Sequence, residues 1–174
     1  MRQAKFQQRL FFLILLVWMT DLHRAFVPSL YSQEAALHSE NIVVLLDASG
    51  SMNETFSSGA NRTKLQTAKN ALKSVLAKLP DDINIGLLIF STSHSSPWLY
   101  PLGVKNDRFL NAVAGVRATG GTPLGQYMKM GADALLAQRE KQYNYGSYRL
   151  LVITDGKARD AHLVDAYTPA IMNR

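Results

Sequence analysis

Residues 42–46 (IVVLL), an unbroken aliphatic run that ends at Asp47, constrain the fold of this chain more than any other feature. A strand without polar alternation has to be covered on both faces, as strands of parallel sheets between two helical layers are. Residues 83–90 (INIGLLIF) and 149–154 (RLLVIT) are also rich in aliphatic residues and have the length of strands. The sequence therefore predicts three central strands of an α/β sheet.

Helical patterns separate these strands. Thr63 and Gln66 have the spacing of a capping box, and the helix that follows ends before Pro80. Its apolar residues fall at helical spacing and are expected to form its inner face: Leu65, Ala68, Leu72, Val75, Leu76 and Leu79. Further helices are predicted over residues 107–116, from Pro123 onward and over 160–171, and residues 98–100, between two prolines, are predicted to form a short edge strand.

This alternation predicts an α/β fold with an open, mostly parallel, doubly wound sheet flanked by helices. Three central strands and one edge strand leave one side of such a sheet open. We therefore expect the sheet to be incomplete on its C-terminal side, either because the chain is truncated or because a partner completes it.

The N-terminal segment has the pattern of a targeting signal. Residues 1–9 hold three positive charges, and residues 10–19 (LFFLILLVWM) are apolar throughout. Ten helical residues rise about 15 Å, half of a hydrocarbon layer of roughly 30 Å. Residues 1–32 are thus predicted to be a signal peptide, with an uncleaved membrane anchor through residues 10–19 or a buried helix as alternatives. The chain is expected to be exported: periplasmic, secreted or anchored outside the cytoplasm.

Composition excludes several functions. The chain has no cysteine, so disulfides, zinc–thiolate sites and thiol catalysis are ruled out. Its net charge of +6 comes without a dense Lys/Arg cluster, so nucleic acid is not an expected partner.

Three short motifs are expected to meet at one edge of the sheet. Residues 47–51 (DASGS) and 154–156 (TDG) follow predicted strands, and residues 119–123 (TGGTP) precede a predicted helix. Ligands of open α/β sheets bind beyond the carboxyl ends of the strands. Ser49 and Ser51, as alternate residues of an extended loop, can aim both hydroxyls at one point. A hard dication such as Mg²⁺ takes about six oxygen ligands near 2.1 Å, which hydroxyls and carboxylates can supply.

In this order the motifs resemble the von Willebrand factor type A (VWA) family and its metal-ion-dependent adhesion site, over residues 40–174. The resemblance implies a bacterial, non-catalytic adhesion module that binds Mg²⁺, or Mn²⁺ or Ca²⁺, and through it an Asp or Glu carboxylate of a protein partner. It implies that Ser49, Ser51 and Thr122 are direct ligands, and that Asp47 and Asp155 act mostly through water. The partner-binding rim that it implies comprises Met52, Gly121 and Gly156.

Other interpretations of these residues remain open. Asp47 could cap a helix beside turn serines, Thr122 could be the N-cap before Pro123, and Asp155 could belong to a plain turn. A hydrolase is less favoured, because phosphatases that resemble the haloacid dehalogenases carry a second Asp where this chain has Ser49. Neither a G-x-S-x-G nucleophile elbow nor a phosphate-binding G-x-x-x-x-G-K-[ST] loop occurs. The remaining alternative is a structural subunit of a membrane-associated or secreted assembly.

Overall fold

A computed structural model describes residues 40–56, 61–90, 94–156 and 158–173, so the predictions for residues 1–32 lie outside the described residues. The elements in chain order are β1 (Glu40–Asp47), a 3-10 turn (Gly50–Asn53), α1 (Lys64–Leu76), β2 (Asn84–Phe90), β3 (Trp98–Val104), α2 (Asp107–Gly115), α3 (Leu124–Lys141), β4 (Ser147–Ile153) and α4 (Ala161–Met172).

The described strands form one sheet in the order β3-β2-β1-β4. The central strand β1 is parallel to both neighbours, whereas β3 is antiparallel to β2. In this register Asp47 pairs with Phe90 and Leu46 pairs with Ile153, so the carboxyl ends of the three parallel strands lie at the same edge. This confirms the predicted open α/β sheet, with β3 as the antiparallel edge strand.

Strand β1 is covered on both faces, as its unbroken apolar run predicts. Val44 and Leu46 belong to a buried cluster with residues of α1 and α2, and Val43 and Leu45 belong to a second cluster with residues of α3 and α4. Alternate residues of a strand point to opposite faces, so two helical layers enclose the sheet. The doubly wound arrangement is therefore confirmed.

Helix α1 begins with the predicted capping box. The Thr63 hydroxyl accepts from the Gln66 amide at 3.2 Å, and the Gln66 side chain accepts from the Thr63 amide at 3.2 Å. Of the predicted inner face, Leu65, Leu72 and Leu76 are buried. Val75 is 48% exposed, so its predicted burial is wrong. The reason is its place in the packing: it borders a groove between α1 and β4 that Leu151 also lines.

The two edges of the sheet differ. Pro101 lies within β3, on an edge strand where a missing amide donor is tolerated. At the other edge β4 has β1 as its neighbour and no second strand among the described residues. Leu151 of β4 is accordingly 39% exposed. Within the same described part of the chain, no helix is both long and apolar enough to cross a bilayer.

A buried polar network closes the amino end of the sheet, opposite the edge that carries the motifs. The fully buried Asn41 side chain donates to the Gln142 side chain at 2.8 Å and to the Ser147 carbonyl at 3.1 Å. It accepts from the Asn84 amide group at 2.9 Å. One side chain thus links β1 to β2, to β4 and to the residue that follows α3, with its polar atoms paired as burial demands.

Candidate functional site

Backbone hydrogen bonds bring the three motif loops together. The Gly50 amide donates to the Gly120 carbonyl at 3.0 Å, and the Thr119 amide donates to the Ala48 carbonyl at 2.7 Å. The Arg159 amide donates to the Thr122 carbonyl at 2.9 Å, which attaches the loop after β4. The predicted convergence of these loops at one edge of the sheet is therefore present.

Gly120 and Gly121, in the loop of residues 119–123, are glycines for different structural reasons. Gly120 has φ 84°, a left-handed conformation that side chains with a Cβ rarely adopt. A Cβ on Gly121 would lie 2.5 Å from the Arg159 guanidinium, so Gly121 allows that side chain to lie against the loop.

Asp47 is fixed beneath the loops. It is fully buried, and one carboxylate oxygen accepts from the Ser49 amide at 2.8 Å. The other accepts from the Thr154 hydroxyl at 2.6 Å. The sequence-based prediction did not include Thr154, although it begins the motif TDG; its hydroxyl joins Asp47 to the loop of Asp155.

The two serine hydroxyls lie side by side, 3.1 Å apart, and the Ser51 hydroxyl donates to Asp155 at 3.0 Å. The backbone conformation that brings the two hydroxyls together differs from the predicted one. Residues Gly50–Asn53 form a 3-10 turn with Ser49 as its N-cap, not an extended loop. A turn of this helix, and not strand-like alternation, brings the hydroxyls together.

Gly156 marks the space that the oxygens surround. A Cβ built there would lie 3.8 Å from the Thr122 hydroxyl, 4.0 Å from an Asp47 carboxylate oxygen and 4.0 Å from the Ser51 hydroxyl. Three side-chain oxygens, two from residues 47–51 and one from residues 119–123, thus face a space beside Gly156 that a single carbon atom would enter. Across the described ranges, no three His, Cys, Asp or Glu side chains cluster as potential metal ligands. This donor set of hydroxyls and two carboxylates fits a hard cation and offers nothing to a soft one.

Lys64, at the start of α1, was absent from the predicted site but lies in it. Its ammonium group is 2.5 Å from Asp155 and 2.8 Å from Glu54. The hydrogen bond to Asp155, followed by that to Glu54, raises the pKa of Lys64 above its ordinary value. Its sequence position directly after the capping residue carries no motif that would have indicated this contact.

Met52 does not lie on the rim surface. Its side chain is 2% exposed and packs in the cluster on the α1 and α2 face. The prediction that Met52 lies on the partner-binding rim is therefore wrong, because the 3-10 turn points this apolar side chain inward. Gly121 and Gly156 remain partly accessible.

Asp160, and not Thr122, supplies the side-chain cap of α3. Its carboxylate accepts from the Gly125 amide at 3.0 Å and from the Gln126 amide at 2.9 Å. Burial alone would raise the pKa of Asp160, but these backbone donors outweigh it and leave the pKa lowered. The cap holds the helix directly behind the Thr122 loop.

Replacing Asp160 by alanine is expected to reduce the free energy of unfolding at pH 7 by about 1 kcal/mol, since two helix amides lose their acceptor. Because the folded state lowers this pKa, the stabilisation is complete above the unfolded value of about 4 and is lost as the pH falls through the lower folded value. Urea unfolding of both proteins at pH 7 and near pH 2.5 checks this. An equal gap at the two pH values would contradict the assigned role.

The family comparison agrees with this architecture. The von Willebrand factor type A domain family matches residues 42–157, and the chain belongs to that family. Its members are in general protein-interaction modules without catalytic activity. A comparison with curated proteins gave no match.

Three solved structures are similar to this chain at low sequence identity. An uncharacterized membrane spanning protein from Vibrio fischeri is 18% identical, with a TM-score of 0.46 over 56% of this chain and 51% of that one. A von Willebrand factor type A protein from Catenulispora acidiphila is 17% identical, with a TM-score of 0.44 over 76% of this chain and 42% of that one. The SpRpn10 VWA domain is 17% identical, with a TM-score of 0.43 over 74% and 82%. The chain spans about half or less of the first two proteins.

Proposed function

We propose that this domain is a non-catalytic interaction module that binds a divalent cation, Mg²⁺ or alternatively Mn²⁺ or Ca²⁺, at its loop edge and an acidic group of a protein partner beside it. The observation that carries the proposal is the space at Gly156, with the Thr122 hydroxyl, Asp47 and the Ser51 hydroxyl all within 4.0 Å of one point. We propose also that the protein is exported by way of residues 1–32.

Each site residue has a role that its contacts support. Ser49, Ser51 and Thr122 would offer hydroxyl oxygens directly, and Asp47 and Asp155 would act mostly through water. Asp47 cannot turn away, because the Ser49 amide and the Thr154 hydroxyl hold both of its oxygens. When bound, the cation would supply a positive, open coordination position for a carboxylate.

An exposed positive charge at this edge favours an acidic partner. Arg159 is exposed and lies against Gly121, beside the Thr122 loop. Lys64 adds no net positive charge here, because Asp155 and Glu54 are both paired with it. Fixed cations beside a binding position attract carboxylates and raise the association rate, in a way that salt weakens.

Isothermal titration calorimetry with Mg²⁺ and Mn²⁺ tests the proposal. Asp47→Asn keeps the shape of the buried side chain and removes its charge, and we expect the affinity to fall at least about tenfold. Coulomb attraction between a unit charge and a dication a few ångströms apart has that size even in water.

Asp81→Asn is the matched control. Asp81 has a fully exposed side chain and precedes the amino end of β2, opposite the site. We expect wild-type cation affinity for this variant. Equal affinity of wild type and Asp47→Asn, with both proteins folded by circular dichroism, would refute the proposed site.

A second candidate function, a structural subunit of a membrane-associated or secreted assembly, is favoured by the apolar groove between α1 and β4. Capture of a partner with and without EDTA separates the two functions. A cation-dependent contact is lost with the chelator, whereas a contact through the groove is unaffected.

A further inference from the structure

We propose that the Lys64 ammonium competes with a divalent cation for Asp155 and so sets the divalent-cation affinity of the site. Glu54 is the acceptor that keeps the ammonium paired when Asp155 is released. This inference rests on the proposed function, because it assigns a residue that controls the same site.

The argument begins with Asp155, whose two oxygens are both engaged. One accepts from the Ser51 hydroxyl at 3.0 Å, and the other is 2.5 Å from the Lys64 ammonium. Although Asp155 as a residue is exposed, its side chain is only 15% exposed. The carboxylate expected to support a cation beside Ser51 is therefore already neutralised by a charge of the chain itself.

Lys64 lies close enough to the proposed cation position to compete with the cation for Asp155. Asp155 contacts the Ser51 hydroxyl directly, and the Ser51 hydroxyl is one of the three oxygens around the space at Gly156. The Lys64 ammonium contacts the other oxygen of Asp155, so only the Asp155 and Ser51 side chains separate it from the space at Gly156. Its charge opposes the approach of any dication, and its hydrogen bond has to weaken before Asp155 can turn toward one.

Glu54 can remain the ion-pair partner of the Lys64 ammonium when Asp155 is released. It lies 2.8 Å from the Lys64 ammonium, and its side chain is 66% exposed, so it can follow a small movement. The backbone keeps the pair adjacent, since the Lys64 amide donates to the Glu54 carbonyl at 2.9 Å and Thr55 bridges Thr63. Lys64 can therefore leave Asp155 without becoming an unpaired charge.

The test measures Mg²⁺ and Mn²⁺ affinity of purified protein by calorimetry. Lys64→Met is expected to bind about tenfold more tightly than wild type, the size of the repulsion between a unit and a double charge a few ångströms apart in water. Lys64→Arg keeps the charge and is expected to bind like wild type. Lys73→Met, on the same helix and remote from the site, is the matched control and is expected to change nothing.

Glu54→Gln is expected to weaken binding several-fold, because Lys64 then has Asp155 as its remaining carboxylate partner. If Glu54 acts through Lys64, this loss shrinks in the Lys64→Met background, and the double-mutant cycle measures the coupling. A role of Lys64 in stability alone would change the melting temperature and leave this coupling at zero.

The outcomes separate the two proposals. Cation binding by wild type with equal or weaker binding by Lys64→Met overturns the role of Lys64 and leaves the site intact. Absence of binding in wild type, Lys64→Met and Lys64→Arg alike overturns the proposed function and this inference with it. Cation binding by all three proteins, tighter in Lys64→Met than in wild type and Lys64→Arg, supports both the proposed function and the role of Lys64.

Discussion

Replacing Gly125 by alanine is expected to destabilise the domain by about 2 to 3 kcal/mol. A Cβ at this position would lie 2.6 Å from the Leu163 Cβ and 2.7 Å from the Val164 backbone nitrogen. These atoms cannot turn aside, so α4 would have to move away from α3. Overpacking of this kind costs about 1 to 3 kcal/mol, here added to a weakened Asp160 cap and only partly offset by the better helix propensity of alanine.

Thermal unfolding followed by circular dichroism measures the effect, with an expected decrease in melting temperature of roughly 10 °C. Gly115→Ala is the matched control, because a Cβ at Gly115 at the end of α2 would meet no atom within 4 Å. That variant is expected to be unchanged or slightly more stable. A Gly125→Ala protein as stable as Gly115→Ala would mean that α4 does not pack against α3 as closely as described.

Replacing Asn41 by alanine is expected to cost about 3 kcal/mol. The change removes a fully buried side chain that bonds to Gln142, to the Ser147 carbonyl and to Asn84. Each buried polar group left without its partner costs about 1 to 3 kcal/mol, although Gln142 retains its hydrogen bond from the Tyr148 hydroxyl.

Urea unfolding of Asn41→Ala and of Asn70→Ala compares a buried with a surface asparagine. Asn70 is exposed on α1, and its replacement by alanine is expected to stabilise the helix slightly. Nearly equal effects of the two changes would show that the network at the amino end of the sheet contributes little to stability.

The central fold could be predicted from sequence because it depends on patterns that burial enforces. A strand enclosed by two helical layers has to be apolar on both sides, which the residues around Val44 display, and the capping box of Thr63 is a purely local signal. The site could be predicted as far as its motif residues because the ends of parallel strands share one edge of the sheet. Their function as cation ligands stays a prediction.

The remaining errors and omissions concern contacts between segments distant in sequence. Val75 has the spacing of an inner-face residue, but its exposure depends on what lies beside β4. The family resemblance implied that Met52 lies on the rim, whereas the 3-10 turn directs its side chain into the core. The contact of Lys64 with Asp155 joins residues 91 positions apart, and no local pattern encodes it.

The two carboxylates of the loop edge differ in how firmly the backbone holds them. Asp47 ends a strand that is hydrogen-bonded on both sides, whereas Asp155 follows a strand with one neighbour among the described residues. Local opening costs less where fewer neighbours support a segment. If the proposed ligand binds, the adjustment of the backbone would therefore fall on the Asp155 side, while Asp47 would keep its position.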